Sequence, residues 1–171
     1  MTGESIFETK RLSAHEFQGS DADFLLSVMN QPEYHRYIGD RGLRTTSDAE
    51  SYIHEVLQPV YEHGAGFWLL RWRENDQPVG FAGIVDRLEL EFPDLGYALH
   101  LDHGGKGLAT EAANGVLTYN RKHLQLGTLL AITDPENMNS INVLTKCEFE
   151  FVEQRQVFDD ADWLNVYRWT L

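Results

Sequence analysis

Residues Leu95 to Ala113, LGYALHLDHGGKGLATEAA, leave the chain few ways to fold. Leu95, Tyr97, Leu99 and Leu101 alternate as the apolar face of a strand, and Asp102-His103 then leads into Gly104-Gly105-Lys106-Gly107. Beyond the glycines Leu108, Ala109, Ala112, Ala113, Val116 and Leu117 recur at helical spacing. The first turn of a helix has amides with no intrahelical partner and a partial positive charge, and glycines let that backbone approach a ligand closely. Phosphate is the natural guest of such a turn.

Two common phosphate motifs do not fit. A Walker A loop needs glycine where His100 stands and Ser or Thr where Gly107 stands. A dinucleotide fingerprint needs a third glycine where Thr110 stands, at the opening of a βαβ unit.

HGGKGLATEAA resembles the pyrophosphate-binding segment of the GNAT superfamily of N-acetyltransferases, and in particular its branch of ribosomal-protein N-terminal acetyltransferases of the RimJ/RimL type. The family pattern Gln/Arg-x-x-Gly-x-Gly/Ala maps onto Gly104 to Ala109, with Gly107 and Ala109 in the small-residue places and Gly104 departing from it. Thr9-Lys10-Arg11-Leu12 fits the family's amino-terminal Thr-x-Arg-Leu. Asn137-Met138-Asn139-Ser140 followed by Phe149 fits Asn-x-x-Ser and Gly-Phe, except that Glu148 replaces the glycine. Three motifs in order spread the resemblance over nearly the whole chain.

With 171 residues and 42% hydrophobic content, the chain can bury a substantial core as one domain over 1–171. Its longest apolar runs are too short for a membrane span, and Glu4 and Glu8 break the order of a signal peptide. Cys147 is the single cysteine and has no internal partner, so a cytoplasmic location is expected. The net charge of -13 disfavours nucleic acid and anionic membranes as partners and draws cationic ones; simple solubility explains the charge equally well. A homodimer is left open.

Taken in order, a first strand is expected over Glu8 to Phe17, then a helix capped by Ser20-Asp21 and ending near Met29 before Pro32. Ser47-Asp48-Ala49-Glu50 reads as a capping box opening a helix toward Tyr61 despite Pro59. The stretch Glu33 to Thr46 between these helices carries Tyr34, Tyr37, Arg41 and Arg44. Phe67 to Arg73 and Pro78 to Asp86 form a hairpin, and Leu88 to Pro93 is an acidic loop before Asp94. A buried strand Leu129 to Thr133, a short helix Ser140 to Lys146 and a closing hairpin of Phe149 to Val157 with Trp163 to Leu171, turning at Asp159-Asp160, complete the chain. The result is an α/β fold, a mostly antiparallel mixed sheet of about seven strands with about four helices.

What the resemblance implies is more specific. The sheet splays between the strand ending at Leu101 and the strand at Leu129, and the pantetheine arm of acetyl-CoA lies there along the backbone of Leu99, His100 and Leu101. Gly104, Gly105, Lys106, Gly107, Leu108, Ala109 and Thr110 hold the pyrophosphate, Asn137 the pantetheine and Asn142 the adenosine end. Lys146 is a second candidate there. The reaction implied is acetyl transfer to a primary amine, which needs a base for the ammonium and gains from a proton for the leaving thiolate. Ser140 is the implied acid; helix capping accounts for Asn137 and Ser140 as well.

Asp94 is the candidate base, and a solvated strand-end carboxylate is the equal alternative; Glu91, His100 and His103 stand in reserve. His100-x-x-His103 beside Asp102 has no further ligand at defined spacing, so no metal is expected. Cys147 is read as packing and Glu111 as a first-turn residue complementing the helix dipole. Glu89, Glu91 and Asp94 form an acidic mouth facing the Tyr34 to Thr46 loop, which suggests a cationic acceptor such as a basic peptide amino terminus or a polyamine. A non-catalytic acyl-CoA-binding sensor or partner-binding module is the alternative function.

Overall fold

The computed structural model describes residues 3–159 and 162–171. Among them eight strands form one mixed sheet: β1 (Phe7–Glu8), β2 (Leu12–His15), β3 (Gly66–Trp72), β4 (Pro78–Val85), β5 (Asp94–Leu99), β6 (Thr128–Thr133), β7 (Glu150–Arg155) and β8 (Leu164–Thr170). Their spatial order is β1-β2-β3-β4-β5-β6-β8-β7, with β8 inserted between β6 and β7. Every pairing is antiparallel except β5 with β6. The eighth strand arises because the expected first strand breaks at Lys10-Arg11, where the Thr9 amide donates to Leu12 O and closes a hairpin.

Five α-helices accompany the sheet: α1 (Ala22–Met29), α2 (Pro32–Tyr37), α3 (Thr46–Tyr52), α4 (Leu108–Tyr119) and α5 (Met138–Lys146). The fifth is α2, which occupies a stretch expected as loop. Pro32 opens it, a position where a missing amide costs nothing. α3 runs on through a wide turn at Ile53–Leu57 and a tight turn at Gln58–His63, which accommodates Pro59. Its capping box is Thr45 with Asp48, not Ser47 with Glu50: Thr45 Oγ1 accepts from the Asp48 amide at 3.1 Å and Asp48 accepts from the Thr45 amide at 2.9 Å. Two overlapping Ser/Thr-x-x-acid frames compete there, and the earlier one starts the helix. Before α1, Asp21 accepts from the Gln18 amide at 2.8 Å while Arg71 of β3 holds its other oxygen at 2.6 Å. Of the Asp159-Asp160 turn, Asp160 lies outside the described residues.

Strand alternation divides the core between two faces. On one face Leu12, Trp68, Leu70, Leu95 and Leu129 pack with Leu108, Ala112, Val116 and Leu117 of α4. On the other Leu69, Phe81 and Ala98 pack beneath α1, α2 and α3. Along β5, therefore, Leu95, Tyr97 and Leu99 face α4, and Asp94 shares the opposite face with Ala98. The sheet opens where expected: β5 and β6 share a single register pair, Asp94 with Leu130, and then diverge.

α5 ends in a turn where the Glu148 amide donates to Thr145 O and the Phe149 amide to Leu144 O. Glu148 takes φ +66°, a conformation that favours glycine. Glu148→Gly is expected to stabilise the fold by about 1 kcal/mol, raising Tm by roughly 2–4 °C in a calorimetric scan. A lower Tm would show that the side chain contributes more than the strained backbone costs.

Candidate active site

The loop between β5 and α4 presents bare backbone amides, the chemistry that an anion requires. Gly105 and Gly107 adopt φ +72° and +75°, and Gly107 caps α4 without a side chain to bond its first amides. The amides of residues 105–110 find no acceptor among the described residues. A side chain at Gly105 would project into open space, so the loop is a cradle of bare backbone. Gly104, Leu108, Ala109 and Thr110 line the same cleft. Glu111 turns away from it, accepting from Thr9 Oγ1, the Arg11 amide and Arg11 Nε at 2.7 Å each, and so binds the β1–β2 hairpin to α4. Lys106 is exposed, its Nζ 5.9 Å from the Trp72 ring centre, and His103 Nδ1 accepts from Trp72 Nε1 at 3.3 Å.

The open edge of β5 comes next. The His100 amide donates to Val79 O of β4, so Tyr97 and Leu99, three residues and one residue earlier, turn their amides and carbonyls toward the gap. At its outer end the Gln31 carboxamide donates to Leu99 O at 3.1 Å and accepts from the Leu101 amide at 2.7 Å. A strand-like guest finds free backbone at Tyr97 and exchanges with Gln31 beyond Leu99. Gln31 precedes α2, so one side chain links the gap to the helices that wall the opposite face.

At the apex of the gap Asp94 is 2% exposed and accepts from Arg87 Nε at 2.9 Å. Burial lifts its carboxyl to about 6 against the pull of Arg87. The reading of Asp94 as a solvated strand-end carboxylate is thereby corrected. Through the gap from it, Tyr97 Oη lies 2.9 Å from Ser140 Oγ and 3.2 Å from Ser140 O. Burial pushes the Tyr97 phenol up to about 12, so it stays protonated. Asn137 caps α5 by accepting from the Ser140 amide at 3.3 Å, and Asn142 lies exposed one turn further along the cleft wall.

A continuous cleft of about 1130 Å³ joins the glycine loop, the gap and the face beneath α2 and α3, where Tyr34, Tyr37, Arg41 and Tyr52 line it. Arg44 is engaged elsewhere, pairing with Asp40. The acidic mouth is not the free cluster expected. Both carboxylate oxygens of Glu91 are held by Arg155, at 2.6 and 3.0 Å, and Asp94 is buried, which leaves Glu89 alone exposed and unpaired among the described residues.

The family model described as Acetyltransferase (GNAT) domain matches residues 11–150. The chain belongs to the GNAT acetyltransferase family. It is 29% identical over 144 residues to the "Uncharacterized N-acetyltransferase p20" of Bacillus licheniformis, covering 83% of this chain and 80% of that one. The acetyltransferase structure from Agrobacterium tumefaciens str. C58 has the same fold, with TM-score 0.81 at 22% identity over 100% of this chain and 96% of that one. RimJ of Mycobacterium smegmatis, solved in complex with CoA-disulfide, superposes with TM-score 0.78 at 20% identity over 93% of this chain and 81% of that one.

Within the GNAT frame, the residues singled out in the sequence gather along one cleft. Leu99, His100, Leu101, Gly104, Gly105, Gly107, Leu108, Ala109, Thr110, Asn137, Ser140, Asn142 and Asp94 all line it. Lys106 does so only through its neighbours in the loop. Among the reserves for a base, Glu91 is tied to Arg155, and His100 Nδ1 is engaged by the Asp102 amide at 3.2 Å. Cys147 is buried, and burial lifts its thiol to about 11, so it packs rather than reacts. Sequence reasoning missed Gln31, Arg87 and the hydroxyl of Tyr97. Only Tyr97 carried a signal, a polar tip on the apolar face that includes Leu95 and Leu99.

Proposed function

We propose that this GNAT protein moves the acetyl group of acetyl-CoA to a primary amine by direct attack, with Asp94 as base and Ser140 as acid. One observation carries the reading: the sheet opens beside a buried carboxylate on one face, while a hydroxyl pair stands on the other. Acetyl-CoA fits the bare amides of residues 105–110 for its pyrophosphate and the free edge of β5 for its arm, and it supplies the thioester. Asn137 and Asn142 extend that contact along α5. The Tyr97 amide, turned into the gap, is a donor for charge developing on the acetyl oxygen. Asp94, its carboxyl near 6, takes the ammonium proton at neutral pH, and Ser140 returns one to sulfur. The cytoplasm is the proposed site of action, in keeping with the unpaired thiol of Cys147.

A thiol-release assay across a panel of amines tests the reading. Release that depends on both acetyl-CoA and an amine is expected; acetyl-CoA binding with no amine turned over would leave a non-catalytic binding protein. Ser140→Ala is expected to lower kcat roughly 10²-fold while KM for acetyl-CoA stays nearly constant, because the proton matters mainly in the transition state. Tyr97→Phe, which removes only the bond that orients Ser140, is expected to cost about tenfold. A loss confined to KM in either variant would reassign the pair to binding.

A further inference from the structure

Arg41 stands apart in this chain. Every other arginine among the described residues either pairs with a carboxylate or lies over an aromatic ring. Arg41 has neither partner. Its guanidinium instead stands beside the hydroxyl of Tyr34 on the wall of the cleft. Arg41 is exposed and lines the cleft, where no carboxylate among the described residues claims it.

The surroundings of Arg41 point the same way. Tyr34 is buried, and its phenol lies within the electrostatic reach of both Arg41 and Arg87. Arg87 uses Nε on Asp94, and its two terminal amino groups have no hydrogen-bond partner among the described residues. A guanidinium only donates, whereas the Tyr34 hydroxyl can accept from Arg41 and donate its own proton to an anion. Arg41, Arg87 and the Tyr34 hydroxyl thus line the same cleft. The carboxylate there, Asp94, is engaged by Arg87 Nε, which leaves the terminal amino groups of Arg87 as donors. The remaining carboxylates of the cleft, Glu33 and Glu136, are exposed, and Glu136 pairs with Arg36.

We propose that Arg41, with the Tyr34 hydroxyl and the free amino groups of Arg87, forms an oxyanion-binding subsite, and that the acceptor is an amine that also carries a carboxylate or phosphate. The inference rests on the N-acetyltransferase reading and names its substrate class. The subsite holds the anionic end, leaving the amine to reach Asp94 at the apex of the gap. It reverses the expectation of a polyamine or basic peptide, because two of the three acidic residues of the mouth, Glu91 and Asp94, are spent on Arg155 and Arg87 while Arg41 in the cleft is unspent. Guanidinium forks suit planar carboxylate and tetrahedral phosphate alike, so the two anions are separate arms of the test.

The test compares matched acceptors at constant ionic strength: an aminodicarboxylate against its monoamide, and phosphoethanolamine against ethanolamine. The anionic member of at least one pair is expected to have kcat/KM about tenfold or more above its neutral partner, the scale of a hydrogen bond to a charged group. Arg41→Gln should bring that ratio toward one, Arg41→Lys should retain part of it, and Arg41→Glu should invert it. An acetyl-CoA-dependent thermal shift in each variant verifies that the fold is intact. Equal rates within both pairs for the unaltered protein, or a ratio unchanged in Arg41→Gln, would overturn the subsite and leave the enzyme reading standing. Failure to acetylate any amine would instead count against the enzyme reading. Calorimetric binding of the same pairs then reads the subsite alone, and equal affinities would overturn it.

Discussion

Asp94→Asn is expected to lower kcat/KM for acetyl transfer by about 10²–10⁴-fold, the contribution of a well-placed general base. The isosteric amide keeps an oxygen for Arg87 and cannot take a proton. The acid limb that a group near 6 imposes on the pH profile of kcat should vanish with it. The fold should not suffer. The carboxyl titrates near 6 in the native state and near 3.8 when exposed, so between those values the native state binds the extra proton and the unfolded chain does not. Stability from this group is complete below the lower value and declines as pH rises, a loss of about 3 kcal/mol above the upper one. Asp94→Asn escapes that decline. Urea unfolding at pH 4 and pH 7 should show the variant gaining on the unaltered protein by this amount. A variant that keeps its activity, or one that loses stability relative to the unaltered protein as pH rises, would remove Asp94 from the role of base.

Acetyl-CoA at a hundredfold excess over its Kd is expected to stabilise the protein by about 2.7 kcal/mol. Substituting asparagine at both Gly105 and Gly107 should reduce that shift to near zero. Asparagine tolerates the left-handed backbone these positions require, so the protein without cofactor should still fold. Its side chains would crowd a loop whose function needs bare amides. Thermal scans with and without acetyl-CoA check both halves of the expectation. A ligand shift that survives in the double variant would move the pyrophosphate elsewhere.

The stretch Leu95 to Ala113 shows how far sequence reaches. Alternation, glycines and helical spacing are local properties of the chain, and they specified β5, the anion loop and α4 within a few residues. The loop's amides stay unpartnered because no capping residue stands at Gly107, a fact also visible in the sequence. Where two local signals overlapped, as at Thr45 and Ser47, sequence could not choose between them. The α2 helix escaped notice because it is short and packs chiefly through Tyr34, too little periodicity to register.

The geometry along the cleft depended on contacts that no spacing encodes. Tyr97 meets Ser140 across 43 positions, Gln31 meets Leu99 across 68, and Arg155 takes Glu91 across 64. The sequence alone determined the strand, the glycine loop and the helix of the Leu95 to Ala113 stretch, because period and glycine placement act over a few residues, while the splay of the sheet was implied by the family resemblance. Only the tertiary structure decided which carboxylate is desolvated, which arginine is left unspent and hence which charge the cleft presents. Desolvation and ion pairing depend on everything packed within a few ångströms, whatever its distance along the chain.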